Sequence, residues 1–462
     1  MSNSKLNFKI ILAWLISIGI PLLIYSIPTT ELFTIQMRTF LTVTVCAILL
    51  IALNTIPTPI VTLLLPVSYI ILGLTDSSTA WYPWTMPTVW MIIGALILVN
   101  ALESSGILMR ISYKIIQLTG GTYKGLIVGL AILGLILNII LFGNAYVILA
   151  GLAYGLCKAL DLEKFSKEAT GIFLAAAFGG IAPGLTCYGV NIIMMEGFGQ
   201  EVVGASHIGW IDYTFFSLPE FVYYILAFAL ILIMFRAQRQ VNSKEYVSNK
   251  LKELGVLKAS EKKATIWIVV LLGYVIACGI TGWDSTLAFV VIPAGMLLPG
   301  IGCGSEEDIK RLDFSFILFV ASCMSIGIVA GSLGFGALVT ELSAPIVASA
   351  SGTVIIMAIY TINVILNFLL TPMAIMSGFT STYAQIALNA GINPYVIYDV
   401  IQLGCDQILF PYEYALYMLY FSFGFIKMQD FIKYFGAKMV LATLVLAFVM
   451  VPFWKITGLF FV

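Results

Sequence analysis

"ILNIILFGNA", residues 136–145, and "ILNFLLTPMA", residues 365–374, share one pattern. Each has Ile-Leu-Asn, three apolar residues, a three-residue stretch holding a helix breaker and then Ala. A second interrupted apolar stretch follows each. The first, 169–198, is broken at "GGIAPGLTCYGVN" (179–191). The second, 395–421, is broken at "GCDQILFPYEYAL" (404–416). One such break is unremarkable, because Gly and Pro are frequent in membrane helices. Four breaks placed pairwise in two halves of a chain are the sequence mark of a secondary transporter, with its binding site near the bilayer midplane.

Composition fits that reading. The 462-residue chain is 61% hydrophobic and only 10% charged, where soluble domains average about 25% charged. Apolar runs of membrane-spanning length recur from end to end. The spans read as 10–27, 39–54, 60–74, 88–103, a hairpin at 126–156, 169–198, 215–235, 264–282, 286–300, 314–333, a second hairpin at 352–390, 395–421 and 436–453. A β-barrel is excluded, since its strands are short and alternating. The first run lacks a small-residue cleavage site and reads as a retained helix. Seven cysteines are scattered with no Cys-x-x-Cys pair, and His207 is the one histidine. Neither a metal site, a catalytic triad nor a cofactor is expected. The chain therefore does not read as an enzyme, and no nucleic-acid partner is expected.

If each hairpin enters and leaves on one side, every Lys and Arg except Arg38 and Lys455 falls on the N-terminal side. The positive-inside rule then places the N-terminus in the cytoplasm and the C-terminus outside the plasma membrane. The polar stretch 236–264 reads as a solvated cytoplasmic connector with a short amphipathic helix. An odd number of crossings separates the halves, so the repeat is inverted. The expected organisation is 1–103, scaffold helices and the first span of repeat 1; 104–235, transport repeat 1; 236–263, linker; 264–348, spans leading repeat 2; and 349–462, transport repeat 2.

This layout resembles the divalent anion/sodium symporter (DASS) family, within the wider ion transporter superfamily. The resemblance covers most of the chain, including "LDFSFILFVASCMSIGIVAGSLGFGALVTEL" (312–342) ahead of the second hairpin. It implies an all-α polytopic, inverted-repeat, elevator-type transporter with two re-entrant hairpins and two broken helices. It also implies a homodimer that moves di- or tricarboxylates or sulfate, commonly with sodium. The family carries Ser-Asn-Thr at each hairpin tip, where this chain has Phe142-Gly143-Asn144-Ala145 and Leu370-Thr371-Pro372-Met373. It carries Thr-Pro-Pro-Asn in each broken helix. Here the first keeps only the Asn of Tyr188-Gly189-Val190-Asn191, and the second offers Phe410-Pro411-Tyr412-Glu413.

With no Lys or Arg expected deep in any span, and Lys438 at the edge of the last, an anion must be held by helix-end N–H groups, hydroxyls and amides. The candidates are Gly143, Asn144, Thr186, Cys187, Asn191, Thr371 and Pro372. Intramembrane carboxylates are costly and functional by default. Asp406 and Glu413 are thus the candidates for ion or proton coupling, Glu413 foremost, with H+ or Na+ as the coupling ion. A backbone-paired acid that fixes the break is the structural alternative for Glu413. Glu196, Glu220 and Asp399 lie near span ends and read as interfacial. Two functions remain open: an anion transporter with weakened sodium dependence, and a cation/proton antiporter in which the acids are the transport site.

Overall fold

The computed structural model describes residues 2–462 apart from 54, 205–207, 282, 284–286 and 369, and, for side chains, also apart from 2–10, 185, 275, 276, 278–280, 346 and 412. His207 lies outside the described residues. The chain is an all-α, multi-pass membrane protein, with no strand among the described residues. Among the described residues, five helices are long and apolar enough to cross a bilayer: Ile35–Ala52, Pro87–Ser105, Tyr123–Leu141, Phe314–Ser332 and Met428–Thr457. Trp210–Phe216 and Glu220–Met234 form a sixth if counted together, but they bend by 60°. The expected straight span 215–235 is therefore kinked. The cause is local, since Pro219 stands between the two helices and lacks the N–H that would continue the ladder. The last helix also begins earlier than expected, at Met428 rather than 436.

The first helices share a small core of their own with Phe314–Ser332. Met37, Phe40, Tyr69 and Val329 are buried together, and the Thr44 and Tyr69 hydroxyls are 2.7 Å apart. Ser322 of Phe314–Ser332 donates to the Thr62 carbonyl, tying that helix to the first helices.

The two halves carry the same series of elements. In the first, Tyr123–Leu141 and Tyr146–Ala159 are joined by a short turn, then Lys167–Thr186 and Val190–Val203 form an interrupted helix. In the second, Gly352–Leu366 and Pro372–Asn389 are the pair, and Pro394–Cys405 and Ala415–Ser422 the interrupted helix. Both arms of each pair pack on the first segment of the interrupted helix that follows. The halves also exchange contacts. The second arm of each pair packs against the distal segment of the other half's interrupted helix, Tyr146–Ala159 on Ala415–Ser422 and Pro372–Asn389 on Val190–Val203. Tyr420 seals the first contact by donating to the Tyr146 carbonyl at 2.6 Å.

The connector is more tightly held than a solvated loop. Its helix, Lys244–Glu253, buries Val247 and packs on Ile107–Leu118. Arg110 forms a two-point pair with Glu261, with both contacts at 3.0 Å, and donates to the carbonyls of Leu254 and Gly255. The Arg110 guanidinium accordingly holds the Glu261 carboxyl below the usual range, aided by the Lys258 N–H.

Candidate functional site

Each Ile-Leu-Asn motif explains why a tip and a break meet. Asn138 sits in the last turn of Tyr123–Leu141, fully buried, and donates to the carbonyls of Gly179 (3.0 Å) and Gly180 (3.4 Å). Asn367, its counterpart, donates to the carbonyls of Gly404 (2.8 Å) and Gln407 (3.1 Å). Pro183 has no N–H to offer the Gly179 carbonyl, the Gly404 and Gln407 carbonyls lie at the C-terminal end of Pro394–Cys405, where intrahelical partners run out, and a buried orphan carbonyl is costly. One amide in each half serves that need, so the motif carries the coupling of hairpin to broken helix.

The first tip lies directly on the first break. Phe142 (φ 50°) and Gly143 (φ 94°) adopt left-handed backbone and end the helix. Gly143 faces Gly184 so closely that a Cβ on Gly184 would stand 2.8 Å from the Gly143 Cα. The break then continues past the tip, with the Val190 N–H donating to the Phe142 carbonyl at 3.3 Å. Asn191 donates to the Gly184 carbonyl at 3.1 Å and Thr186 to the Pro183 carbonyl at 3.4 Å. Gly143, Thr186, Cys187 and Asn191 are thus local neighbours. Asn144, half-buried, donates to the Leu141 carbonyl (3.1 Å) and lines a cavity of about 190 Å³ with Glu103, Arg311 and Asp313.

At the second tip, Thr371 caps Pro372–Asn389 by accepting from the Ala374 N–H at 3.3 Å, and Pro372 occupies the first helical position, where no donor is missed. The Pro372 carbonyl accepts from the Cys405 thiol at 3.8 Å. The second tip therefore also rests on its own break.

The two coupling candidates have different surroundings. Both Glu413 carboxylate oxygens accept backbone N–H groups, Phe410 at 2.9 Å and Leu409 at 3.1 Å. This is a capping arrangement that steadies the turn at Pro411. Asp406 is instead the centre of a buried ion pair. Lys438 contacts its carboxylate and its backbone carbonyl, each at 2.6 Å, while Tyr223 (2.7 Å) and Tyr417 (2.6 Å) donate to the two carboxylate oxygens. Lys438 is 0% exposed, with the rings of Phe178, Tyr223, Tyr417 and Phe435 around its ammonium at 5.0–5.9 Å. The sequence places Lys438 at a span edge, but the earlier start of the last helix moves it into the interior. Glu196, Glu220 and Asp399 are likewise buried within the protein. Glu196 accepts from the Ile208 N–H (2.7 Å) and the Tyr395 hydroxyl (3.0 Å), and Asp399 accepts from Tyr213 (2.8 Å).

A family model described as the sodium:sulfate symporter transmembrane region matches residues 9–460. The chain belongs to this family. Its members are transporters, so the paired breaks and tips belong to a transport fold. Among solved structures, the Alcanivorax borkumensis YdaH transporter, described as having an unusual topology, is similar over 83% of this chain and 88% of its own, with a TM-score of 0.54 and 12% identity. At that identity the likeness shows the fold alone. No curated protein matches the chain.

Proposed function

We propose that the chain is a secondary active transporter of small anions of the di- or tricarboxylate or sulfate class, cation-coupled or exchanging, with less sodium dependence than is usual for its family. The packing of each hairpin tip onto the break of its own half carries this reading. It gathers helix ends and small polar residues (Gly143, Asn144, Thr186, Cys187 and Asn191 in one half, Thr371 and Pro372 in the other) where an anion would be bound. Weak sodium dependence follows from the tips, which lack the paired hydroxyls and amides of Ser-Asn-Thr. Glu413 braces the break in this reading, and Asp406 with Lys438 fixes the second broken helix against the last span.

The Asp406–Lys438 pair also argues against the antiporter reading. A carboxylate already neutralised by a buried ammonium is a poor cation site. The hairpins are re-entrant and the halves inverted in this proposal. The protein works as an elevator-type homodimer in the plasma membrane, with the N-terminus cytoplasmic and the C-terminus outside. Counterflow in proteoliposomes loaded with unlabelled succinate, citrate or sulfate tests the function. Accumulation of the matching labelled anion is expected for at least one. Rubidium or sodium exchange for protons, with no anion counterflow, would overturn the reading.

A further inference from the structure

Glu220 is a buried acid with no counter-charge or hydrogen-bond donor on its carboxyl among the described residues. It begins Glu220–Met234 directly after the 60° bend, is 1% exposed, and neither carboxyl oxygen has a hydrogen-bond partner among the described residues. Three residues on, Tyr223 lies on the same face of that helix and reaches Asp406. Seven residues earlier, Tyr213 reaches Asp399, and Gln402 donates to the Tyr213 hydroxyl at 2.8 Å. Asp399, Gln402 and Asp406 follow one face of Pro394–Cys405 and its C-terminal end. Glu220 is thus set opposite that face, between the tyrosine that holds Asp399 and the tyrosine that holds Asp406. Glu220 is also near Asp399 and Asp406 of the second broken helix and near Cys187 at the first break. One carboxyl accordingly lies within electrostatic reach of both broken helices.

Among the described residues, several acceptors there have no partner. Asp399 Oδ2, Gln402 Oε1 and Gln407 Oε1 are unpartnered acceptors, in addition to both Glu220 oxygens. Tyr213 is committed to Asp399, and Tyr223 and Tyr417 to Asp406. Tyr434 donates to the Ala227 carbonyl, and Lys438 is held by Asp406. Among the described residues Lys438 is the one buried ammonium, and it pairs with Asp406, not with Glu220 or Asp399. Two further negative charges buried without a counter-charge are strongly unfavourable. A proton is the smallest species that corrects this. It supplies the missing donor and removes a charge, and it needs one oxygen and one acceptor. A bound metal needs several converging ligands, and no group of three His, Cys, Asp or Glu converges so among the described residues.

We propose that Glu220, with Asp399 as its charged neighbour, is the proton-binding site that couples a pH gradient to transport. This rests on the transporter reading above. Its location gives the means. With Glu220 ionised, its charge repels Asp399 and Asp406 and opposes close packing of Glu220–Met234 against the second broken helix. With Glu220 protonated, that repulsion is gone and the packed arrangement described here is favoured.

Two measurements test it on the full-length protein. The first needs no substrate: the thermal midpoint in detergent micelles across pH 5–8. A protein that keeps a proton when folded, and releases it when unfolded, loses stability as pH rises. Wild type is expected to show that fall, Glu220→Gln to flatten it and Glu220→Asp to retain it. An unchanged pH profile in Glu220→Gln overturns the proposal, whether or not the variant transports. The second measurement is pH-driven accumulation of succinate, citrate or sulfate in sodium-free proteoliposomes. Loss of accumulation in Glu220→Gln together with the flattened profile is the expected result. Accumulation in that variant that still tracks the pH gradient overturns it. If wild type moves none of the anions, the transporter reading fails, while the thermal profile still decides the proton site.

Discussion

Removing one partner of the Asp406–Lys438 pair should be among the most damaging changes to this fold. Lys438→Met keeps the stem's volume and deletes the ammonium. Asp406 then retains the Tyr223 and Tyr417 hydroxyls at 2.7 and 2.6 Å but loses its counter-charge. Breaking a buried pair on one side costs about 3–5 kcal/mol. The two tyrosine donors place Lys438→Met near the lower end, at about 3 kcal/mol. Asp406→Asn strands the ammonium, which keeps the Asp406 carbonyl at 2.6 Å and four ring faces, and should cost about as much. The double variant leaves no buried charge, so its cost should fall below the sum of the singles by roughly 1–3 kcal/mol. Denaturant titration of the four proteins in one detergent, followed by tryptophan fluorescence, measures the cycle. Single variants each within about 1 kcal/mol of wild type, or strictly additive costs, would refute a dry, coupled pair.

Three further outcomes follow from particular contacts. Gly184→Ala places a methyl 2.8 Å from the Gly143 Cα, a backbone atom that cannot swing aside, so the tip must shift; a loss of about 1–3 kcal/mol and of counterflow is expected, and wild-type stability would show that tip and break are not in contact. Glu413→Ala frees the Leu409 and Phe410 N–H groups and should cost about 2 kcal/mol, with the pH profile of transport unchanged; an altered profile would return Glu413 to the coupling role. The Arg110–Glu261 pair adds stability that is present above the unfolded carboxyl value, about 4.3, and lost as pH falls through the lowered folded value. The stability difference between wild type and Arg110→Gln should therefore shrink below about pH 4, and a difference constant with pH would contradict the pair.

Much of the architecture is legible in the sequence, because apolar runs report helices and the repeated Ile-Leu-Asn reports two like halves. The same motif also names Asn138 and Asn367, yet their task is not readable from it. Their carbonyl partners lie some 40 positions away, and only packing brings them into reach. Glu413 is readable as a brace, since an acid two residues after Pro411 and three after Phe410 fits the capping pattern. Asp406 is singled out by its position, but not its partner. Lys438 stands 32 residues on, near the start of an apolar run, and the polar flank Met428–Phe435 hides that the helix has already begun. Glu220 and Asp399 were masked for a related reason. Both sit near the ends of apolar runs, and only the bend at Pro219 and the packing of Tyr213 and Tyr223 on the second broken helix make those ends interior. Hydropathy windows locate a residue along the chain, whereas a buried network depends on which helix faces cross.

The account turns on which ion drives transport. Uptake of labelled succinate, citrate and sulfate into proteoliposomes is to be measured under a sodium gradient alone, a pH gradient alone, and neither. The expected result is accumulation under the pH gradient without sodium, and little added by sodium when pH is equal on both sides. Accumulation that requires sodium and ignores the pH gradient would contradict it.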